Sequence, residues 1–116
     1  MNKVVLITGG ARGIGSAIAL ELAKHGYDIV INYLTSKQPA KELKEKIESQ
    51  YHVHCLTIWA DVSDVDQVNI MVSEIEEKMG GVDILINNAA VDLSNLFHLK
   101  NAEEFKRTLD LSLIHI

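Results

Sequence analysis

Several residue types are scarce in this 116-residue chain, and each scarcity excludes a class of protein. A single cysteine, Cys55, rules out an internal disulfide, so nothing indicates an oxidising compartment. Eleven basic residues against 16 acidic ones give a formal net charge of −5, which disfavours nucleic-acid and anionic-membrane binding. No apolar run approaches the ~20 residues of a membrane-spanning helix. The run nearest the start, Val4–Ile7, stops at Thr8 and is also too short for a signal peptide. These absences predict a soluble cytoplasmic protein.

The chain alternates short apolar runs, typical of buried strands, with longer amphipathic stretches, typical of helices. The predicted strands are Lys3–Thr8, Asp28–Tyr33, His52–Ala60 and Val82–Asn87. The predicted helices are Arg12–His25, a segment from Pro39 to about Gln50, a segment between Ser63 and Gly80, and a last one from about Asn101. Strands that alternate with helices of this length form βαβ units, so the predicted fold class is α/β with a parallel sheet.

Apolar spacing predicts the buried face of each helix. The predicted inward residues of the first three helices are Ile14, Ala17, Ile18 and Leu22; Ala40, Leu43 and Ile47; and Val68, Met71, Val72, Ile75 and Met79. Ser63 is the predicted N-cap of the third helix. Gly26 and Gly80 are predicted to end the first and third helices, because glycine adopts the left-handed conformation found there.

A glycine-rich turn, Thr8-Gly-Gly-Ala-Arg-Gly-Ile-Gly15, joins the first predicted strand to the first predicted helix. Glycines at positions 9, 13 and 15 permit a tight turn and remove side chains that would keep a pyrophosphate away. The helix that follows presents free N–H groups and the positive end of its dipole to such a group. The arrangement predicts a dinucleotide site, and a tight turn without a ligand is the alternative.

Three motifs in this order resemble those of the short-chain dehydrogenase/reductase family. They are the glycine turn with its Gly-x-x-x-Gly-x-Gly spacing, Asp61-Val62 after the third strand, and Asn87-Asn-Ala-Ala90 after the fourth, where the family usually has Asn-Asn-Ala-Gly. The resemblance covers Lys3 to about Asp110. It implies that residues 1–110 form the N-terminal half, with about four strands, of a Rossmann-type doubly wound sheet. It also implies a homotetramer for the complete protein.

The resemblance further implies a set of cofactor contacts, with Asp61 meeting the adenine ring. The implied cofactor-binding residues are Gly9, Arg12, Gly13, Ile14, Gly15, Tyr33, Ser36, Lys37, Asp61, Val62, Asn88, Ala89 and Ala90. An NAD-specific fold usually ends its second strand with a carboxylate that binds the ribose 2′-hydroxyl, but this chain has Tyr33 there. Arg12, Ser36 and Lys37 are suited to a 2′-phosphate instead, which favours NADP(H) over NAD(H). Alternatively, Arg12 and Lys37 are ordinary solvated charges.

The catalytic groups of the family are not found in this sequence. The family uses a Tyr as general acid/base, a Lys four residues later that lowers the Tyr pKa, and a Ser that orients the carbonyl. None of Tyr27, Tyr33 and Tyr51 has a Lys at the fourth following position. Ser112 stands at the position of the family's active-site Asn and lacks its carboxamide. We therefore expect this chain to bind a cofactor without catalysing the reaction.

The last six residues, Leu-Ser-Leu-Ile-His-Ile, fall within a helix that the resemblance leads us to expect. The same six residues are encoded, in one frame, by the mosaic-end repeat of transposon-based sequencing adapters. We expect residues 111–116 to be a non-native tail from adapter read-through, with Asn at position 112 of the native protein. A native helix with a serine substitution is the alternative.

Two other segments have candidate roles. His52, His54 and Cys55 contain metal-ligating atoms, but on a strand the two histidines would share a face and Cys55 would lie on the other. No fourth ligand is suitably spaced, so no metal site is predicted and Cys55 is expected in the core. Residues 89–100 follow the fourth strand at the ligand-binding edge of the sheet, where they either line the nicotinamide region or pack beneath the loop.

Different classes of function remain open. By resemblance, the chain is a fragment of an NADPH-dependent carbonyl reductase similar to 3-oxoacyl-[acyl-carrier-protein] reductases, whose partner is acyl carrier protein or a small carbonyl compound. A dehydrogenase of sugars or other secondary alcohols fits the same motifs. A non-catalytic dinucleotide-binding module that ends near Ile116, or a pseudo-enzyme with Ser112, are further alternatives. In an isolated module the fourth strand would have an unpaired edge, which predicts poor solubility.

Overall fold

The computed structural model describes residues 2–88 and 112–115, which form one parallel sheet flanked by helices. The elements in these residues are β1 (Val4–Thr8), α1 (Gly13–Lys24), β2 (Asp28–Tyr33), α2 (Lys37–Gln50), β3 (Cys55–Trp59), α3 (Val65–Met79), β4 (Ile84–Asn87) and β5 (Ser112–His115). The spatial order of the strands is β3-β2-β1-β4-β5, and every neighbouring pair is parallel. The predicted α/β class and the doubly wound parallel sheet are confirmed.

The strand order reverses between β1 and β4. The chain proceeds from β1 to β2 and β3 on one side, and then returns to place β4 on the other side of β1. Thr8 pairs with Asn87 in this register, so the carboxyl ends of β1 and β4 lie side by side. In open α/β sheets, the crevice beyond such a reversal is where ligands bind.

Each face of the sheet has its own hydrophobic core, because successive strand residues point to opposite faces. Val4, Leu6 and Val30 pack with α3 on one face. Val5 and Ile7 pack with α1 and α2 on the other. α1 and α2 therefore lie on the same face, and both begin at the carboxyl edge of the sheet.

The predicted inward faces are confirmed for α2 and α3 but only in part for α1. Ala40, Leu43 and Ile47 of α2 and Val68, Met71 and Ile75 of α3 are buried, and Val72 and Met79 are partly buried. In α1 the buried residues are Gly15, Ala19 and Ala23, whereas Ile14 is 63% exposed, Ala17 is exposed, and Ile18 and Leu22 are partly buried. A ridge of very small residues lets the helix lie close to the sheet, so this ridge faces inward although larger apolar residues are available.

Two predicted helix ends are confirmed and one predicted cap is wrong. Gly26 has φ +91° and donates its N–H to Ala23 O, while the Tyr27 N–H reaches Leu22 O, which is a Schellman motif. Gly80, with φ +84°, ends α3. The N-cap of α3 is Asp64 rather than Ser63, because the Asp64 carboxylate accepts from two N–H groups of the first turn.

Two segments differ from the predicted secondary structure. β3 begins at Cys55, so His52 and His54 precede the strand. The alternative of a native helix at residues 111–116 is wrong, because Ser112–His115 pairs with Ile84–Asn87 as β5. β4 therefore has a neighbour on each side, which corrects the expectation of an unpaired edge there. The non-native origin of residues 111–116 stays a prediction. The predicted last helix, from about Asn101, lies outside the described residues.

Candidate functional site

The glycine turn lies at the carboxyl ends of β1, β2 and β4, where the strand order reverses. Gly9 and Gly13 have φ values of +62° and +57°, in the left-handed region that favours glycine. Among the described residues, and apart from the adjoining backbone of α1, no heavy atom lies within 4 Å of where a Cβ on Gly13 would be. The turn thus combines a tight backbone path with space for a ligand beside it.

Two side-chain amides hold Gly9 from the neighbouring strands. The Gly9 N–H donates to Asn32 Oδ1 (3.4 Å), and Asn88 Nδ2 donates to Gly9 O (3.1 Å). Asn32 is buried, and its Nδ2 also donates to Ala60 O (3.1 Å), which ties β3 to the same point. These bonds fix the turn to the ends of β2, β3 and β4.

A second set of bonds joins the ends of β1 and β4. Thr8 Oγ1 donates to Asn87 Oδ1 (3.0 Å) and accepts from the Asn88 N–H (3.1 Å). Thr8 and Asn87 are both buried. Buried polar groups that are fully paired give a site one defined geometry, and the pair fixes Asn88 next to the turn.

Gly15 packs so closely that any side chain would collide with its surroundings. A Cβ built there would lie 2.5 Å from Asn88 Nδ2, 2.8 Å from Gly9 O and 2.9 Å from Gly10 Cα. The first turn of α1 therefore rests directly against the strand ends. This contact brings the N-terminus of the helix to the crevice.

The N-termini of α1 and α2 are electrostatically different from that of α3. Neither α1 nor α2 has a side-chain hydrogen bond at its N-cap or an acidic residue in its first turn. α3, on the opposite face, is capped by Asp64 and has Asp66 in its first turn. The free N–H groups and positive dipole ends of α1 and α2 are thus left for a ligand at one corner of the sheet.

Cations add to the positive potential at this corner. Arg12 is the N-cap residue of α1, Lys37 is the first residue of α2, and both are exposed. A cation at a helix N-terminus opposes the dipole by roughly 0.3–1 kcal/mol, so this placement is unfavourable for the helix alone. An anionic group bound at each helix N-terminus would be attracted by both the cation and the positive end of the dipole. The corner is suited to a ligand with two separated phosphates.

Asp61 and Val62, which follow β3, have different environments. The Ser63 hydroxyl and the Ser63 N–H both donate to Asp61 Oδ1 (2.6 and 3.0 Å), and these bonds lower the pKa of Asp61 below its usual value. Asp61 is a carboxylate acceptor, and the two donors fix the position of its Oδ1. Val62 is buried in the core on the α3 face, so its side chain packs against protein.

The structure brings most of the sequence-predicted positions to this edge. Gly9, Gly15 and Asn88 form one bonded and packed unit. Gly13 begins α1 beside this unit, and Arg12, Ile14, Tyr33, Ser36 and Lys37 lie at the adjoining ends of β2, α1 and α2. Ala89 and Ala90 lie outside the described residues, and Ser112 is the first residue of β5.

Sequence reasoning missed Asn32, which links three strands. Its signal was present as a polar amide within the otherwise apolar run of β2, at a position that the structure buries.

The fold and the glycine turn together define an α/β protein of Rossmann type. A family model described as short chain dehydrogenase matches residues 3–115, and the chain belongs to this family. In the part of the chain that the structure describes, no helix has the length and apolar character needed to cross a membrane.

Curated relatives and solved structures agree with this family. The 3-oxoacyl-[acyl-carrier-protein] reductase FabG of Staphylococcus aureus is 38% identical over 113 residues, which are 97% of this chain and 46% of the relative. A short-chain dehydrogenase/reductase of Armillaria gallica is 37% identical over 97% of this chain and 43% of its own. The chain thus spans less than half the length of these relatives.

Two solved structures are similar to this chain. A short chain dehydrogenase from Burkholderia cenocepacia, in complex with NADP, matches with a TM-score of 0.71 and 42% identity over 77% of this chain and 36% of that one. L-sorbose reductase from Gluconobacter frateurii, complexed with NADPH and L-sorbose, matches with a TM-score of 0.73 and 30% identity over 93% of this chain and 46% of that one.

Proposed function

We propose that this chain is the cofactor-binding part of an NADPH-dependent oxidoreductase that reduces the carbonyl of a 3-oxoacyl thioester to a secondary alcohol. The observation that carries the cofactor choice is the pair of uncapped N-termini of α1 and α2, with Arg12 and Lys37 beside them. Tyr33, rather than a carboxylate, ends β2, so no negative charge at that position repels a 2′-phosphate.

The residues present fit such a cofactor. Bound NADPH would supply the hydride for the reduction. The N–H groups at the start of α1 would hold the pyrophosphate, and the closely packed Gly15 keeps this helix end at the crevice. Ser36 and Lys37 would bind the 2′-phosphate together with Arg12. Asp61, oriented by its hydrogen bonds from Ser63, would accept a hydrogen bond from the adenine amino group.

Replacement of Arg12 tests the cofactor preference. In the complete protein that contains this chain, Arg12→Ala should weaken NADPH binding by about 10- to 100-fold, since a hydrogen bond to a charged group contributes about 1.5–3 kcal/mol. NADH binding should change by less than about threefold, because it lacks the phosphate. Both affinities are measured by calorimetry. Lys24→Ala, at the other end of α1, is the control and should leave both affinities unchanged. Equal losses for both cofactors would contradict the proposal.

The substrate class is tested by a rate comparison on the complete protein. Support for a 3-oxoacyl thioester comes from the Staphylococcus aureus relative. Support for a keto sugar as second candidate comes from L-sorbose reductase, which aligns with 93% of this chain. We expect a higher kcat/KM with NADPH and a short 3-oxoacyl thioester than with NADPH and L-sorbose. The reverse order would favour the sugar reductase.

A further inference from the structure

The connection between β2 and α2 carries the groups assigned to the 2′-phosphate, and it is only three residues long. It runs from Leu34 to Ser36, and Lys37 then begins α2. In so short a connection, the directions of the Ser36 hydroxyl and the first N–H groups of α2 depend on the backbone path. The Ser36 hydroxyl does not cap its own helix, so it stays available to a ligand.

Two hydrogen bonds from the end of β3 fix where this connection starts. The Ala60 N–H donates to Tyr33 O (3.1 Å), and the Trp59 indole Nε1–H donates to Leu34 O (3.0 Å). The second bond is a side-chain contact made by a residue outside the connection itself. It determines how the carbonyl of Leu34, and hence the peptide that follows, is oriented.

Trp59 is placed to make this bond by the parallel register of the edge strand. It is the partner of Tyr33 in the β2–β3 pairing, so it lies directly beside the point where β2 ends. Strand alternation puts its side chain on the face of the sheet that α2 covers. Trp59 is 52% exposed and belongs to neither core, and its N–H is its one side-chain donor.

We propose that Trp59 is a positioning residue for recognition of the cofactor 2′-phosphate. It holds the Leu34 carbonyl and thereby orients Ser36 and the N-terminus of α2. The inference rests on the proposed function, because it needs a cofactor that carries this phosphate. Trp59 acts through the connection, so its effect belongs to the 2′-phosphate and not to the rest of the nucleotide.

The test is Trp59→Phe in the complete protein, which retains an aromatic ring and removes the N–H donor. Calorimetry measures the Kd of 2′,5′-ADP and 5′-AMP, which differ only by the 2′-phosphate, and of NADPH and NADH. The Kd values of 2′,5′-ADP and NADPH should rise about fivefold, the equivalent of one neutral hydrogen bond. Those of 5′-AMP and NADH should stay within about twofold. Ile70→Ala, at an exposed apolar residue of α3, is the control and should change none of them.

The outcomes separate this inference from the proposed function. If the wild-type protein binds 2′,5′-ADP no better than 5′-AMP, the proposed NADPH preference fails and the inference fails with it. If the wild type prefers 2′,5′-ADP and Trp59→Phe weakens all four ligands equally or none of them, the inference alone is overturned. Trp59→Leu is a second variant. If it weakens binding of 2′,5′-ADP and NADPH as much as Trp59→Phe does and spares 5′-AMP and NADH, the N–H has the proposed role. If it weakens binding of all four ligands, the ring has a structural role.

Discussion

At the scale of single residues, the site depends as much on missing side chains as on those present. Gly15 is confined by Asn88 and Gly9, whereas Gly13 has a left-handed backbone and no close neighbour on its Cβ side within residues 2–88 and 112–115. The same residue type thus serves close packing at one position and backbone geometry at the other. The spacing of the glycines predicted their involvement, but only the contacts distinguish their roles.

Gly15→Ala tests the packing role. Alanine is the better helix former by roughly 0.5–1 kcal/mol, so any destabilisation must come from the collision with Asn88 and Gly9. We expect the free energy of unfolding to fall by about 1–3 kcal/mol and NADPH affinity to fall with it. Gly26→Ala is the matched control, because its φ of +91° makes alanine strained far from the crevice. It should lower stability by a similar amount without changing NADPH affinity, and the same affinity loss in both variants would refute the packing role.

The pKa of Asp61 is a second residue-scale test. Ser63→Ala removes the hydroxyl that donates to Asp61 Oδ1, so the pKa of Asp61 should rise towards its ordinary value; the backbone donor remains. A carboxyl whose pKa is lowered by folding stabilises the protein above its unfolded pKa, and that contribution is lost as pH falls through the folded pKa. In Ser63→Ala the folded and unfolded pKa values of Asp61 should lie closer together, so the carboxylate should stabilise the protein less above its unfolded pKa. Carboxyl NMR titration measures the pKa of Asp61, and Ser49→Ala on α2 is the control, which should leave that pKa unchanged. An unchanged Asp61 pKa in Ser63→Ala would show that the Ser63 hydroxyl does not lower it.

At the scale of elements, periodicity predicted the helices and strands well and the packing of α1 poorly. α2 and α3 each have large apolar residues at helical spacing and bury them. α1 has both a large stripe and the small ridge of Gly15, Ala19 and Ala23, and a sequence pattern cannot show which one the sheet will accept. The distance between helix and sheet decides which residues of α1 face inward. Long-range contacts at the glycine turn set this distance. The cap of α3 was misplaced by one residue because Ser63 and Asp64 are both good N-cap types.

Ser36→Asp tests whether the uncapped N-terminus of α2 makes the helix less stable but lets it bind a phosphate. A carboxylate at this N-cap should stabilise the helix by about 0.3–1 kcal/mol and repel a 2′-phosphate. The variant is therefore expected to unfold at a higher denaturant concentration, bind NADPH at least tenfold more weakly, and retain NADH binding within about threefold. Asp64→Ala, at the N-cap of α3, is the control: it should lower the free energy of unfolding by about 1 kcal/mol and leave both cofactors unaffected. If Ser36→Asp retains NADPH affinity, α2 does not bind the phosphate.

At the scale of the whole molecule, the topology followed from the order of elements. Alternating strands and helices predict parallel neighbours, and the motifs after β1, β3 and β4 could be assigned to one edge because parallel strands end together. Asn32 and Trp59 could not be assigned in this way. Their roles depend on the strand order, which places β2 between β1 and β3, and on the register that sets Trp59 opposite Tyr33. The pairing of Ser112–His115 also depends on a long-range partner, β4, that local periodicity does not contain.

The sheet separates two cores, so changes on its opposite faces should be energetically independent. Ile47 of α2 and Ile75 of α3 are both fully buried, one in each core. Ile47→Val and Ile75→Val should each lower the free energy of unfolding of the complete protein by about 0.5–1.5 kcal/mol. The double variant should lose the sum within about 0.5 kcal/mol, because the two sites share no packing partner across the strands. Denaturant unfolding measures all three, with Ile70→Val, at an exposed position of α3, expected to change stability by less than about 0.5 kcal/mol. If the double variant departs from additivity by more than about 0.5 kcal/mol, the two layers adjust to each other through the sheet. The glycine turn, which is tied to the ends of β2, β3 and β4, would then respond to packing on either face of the sheet.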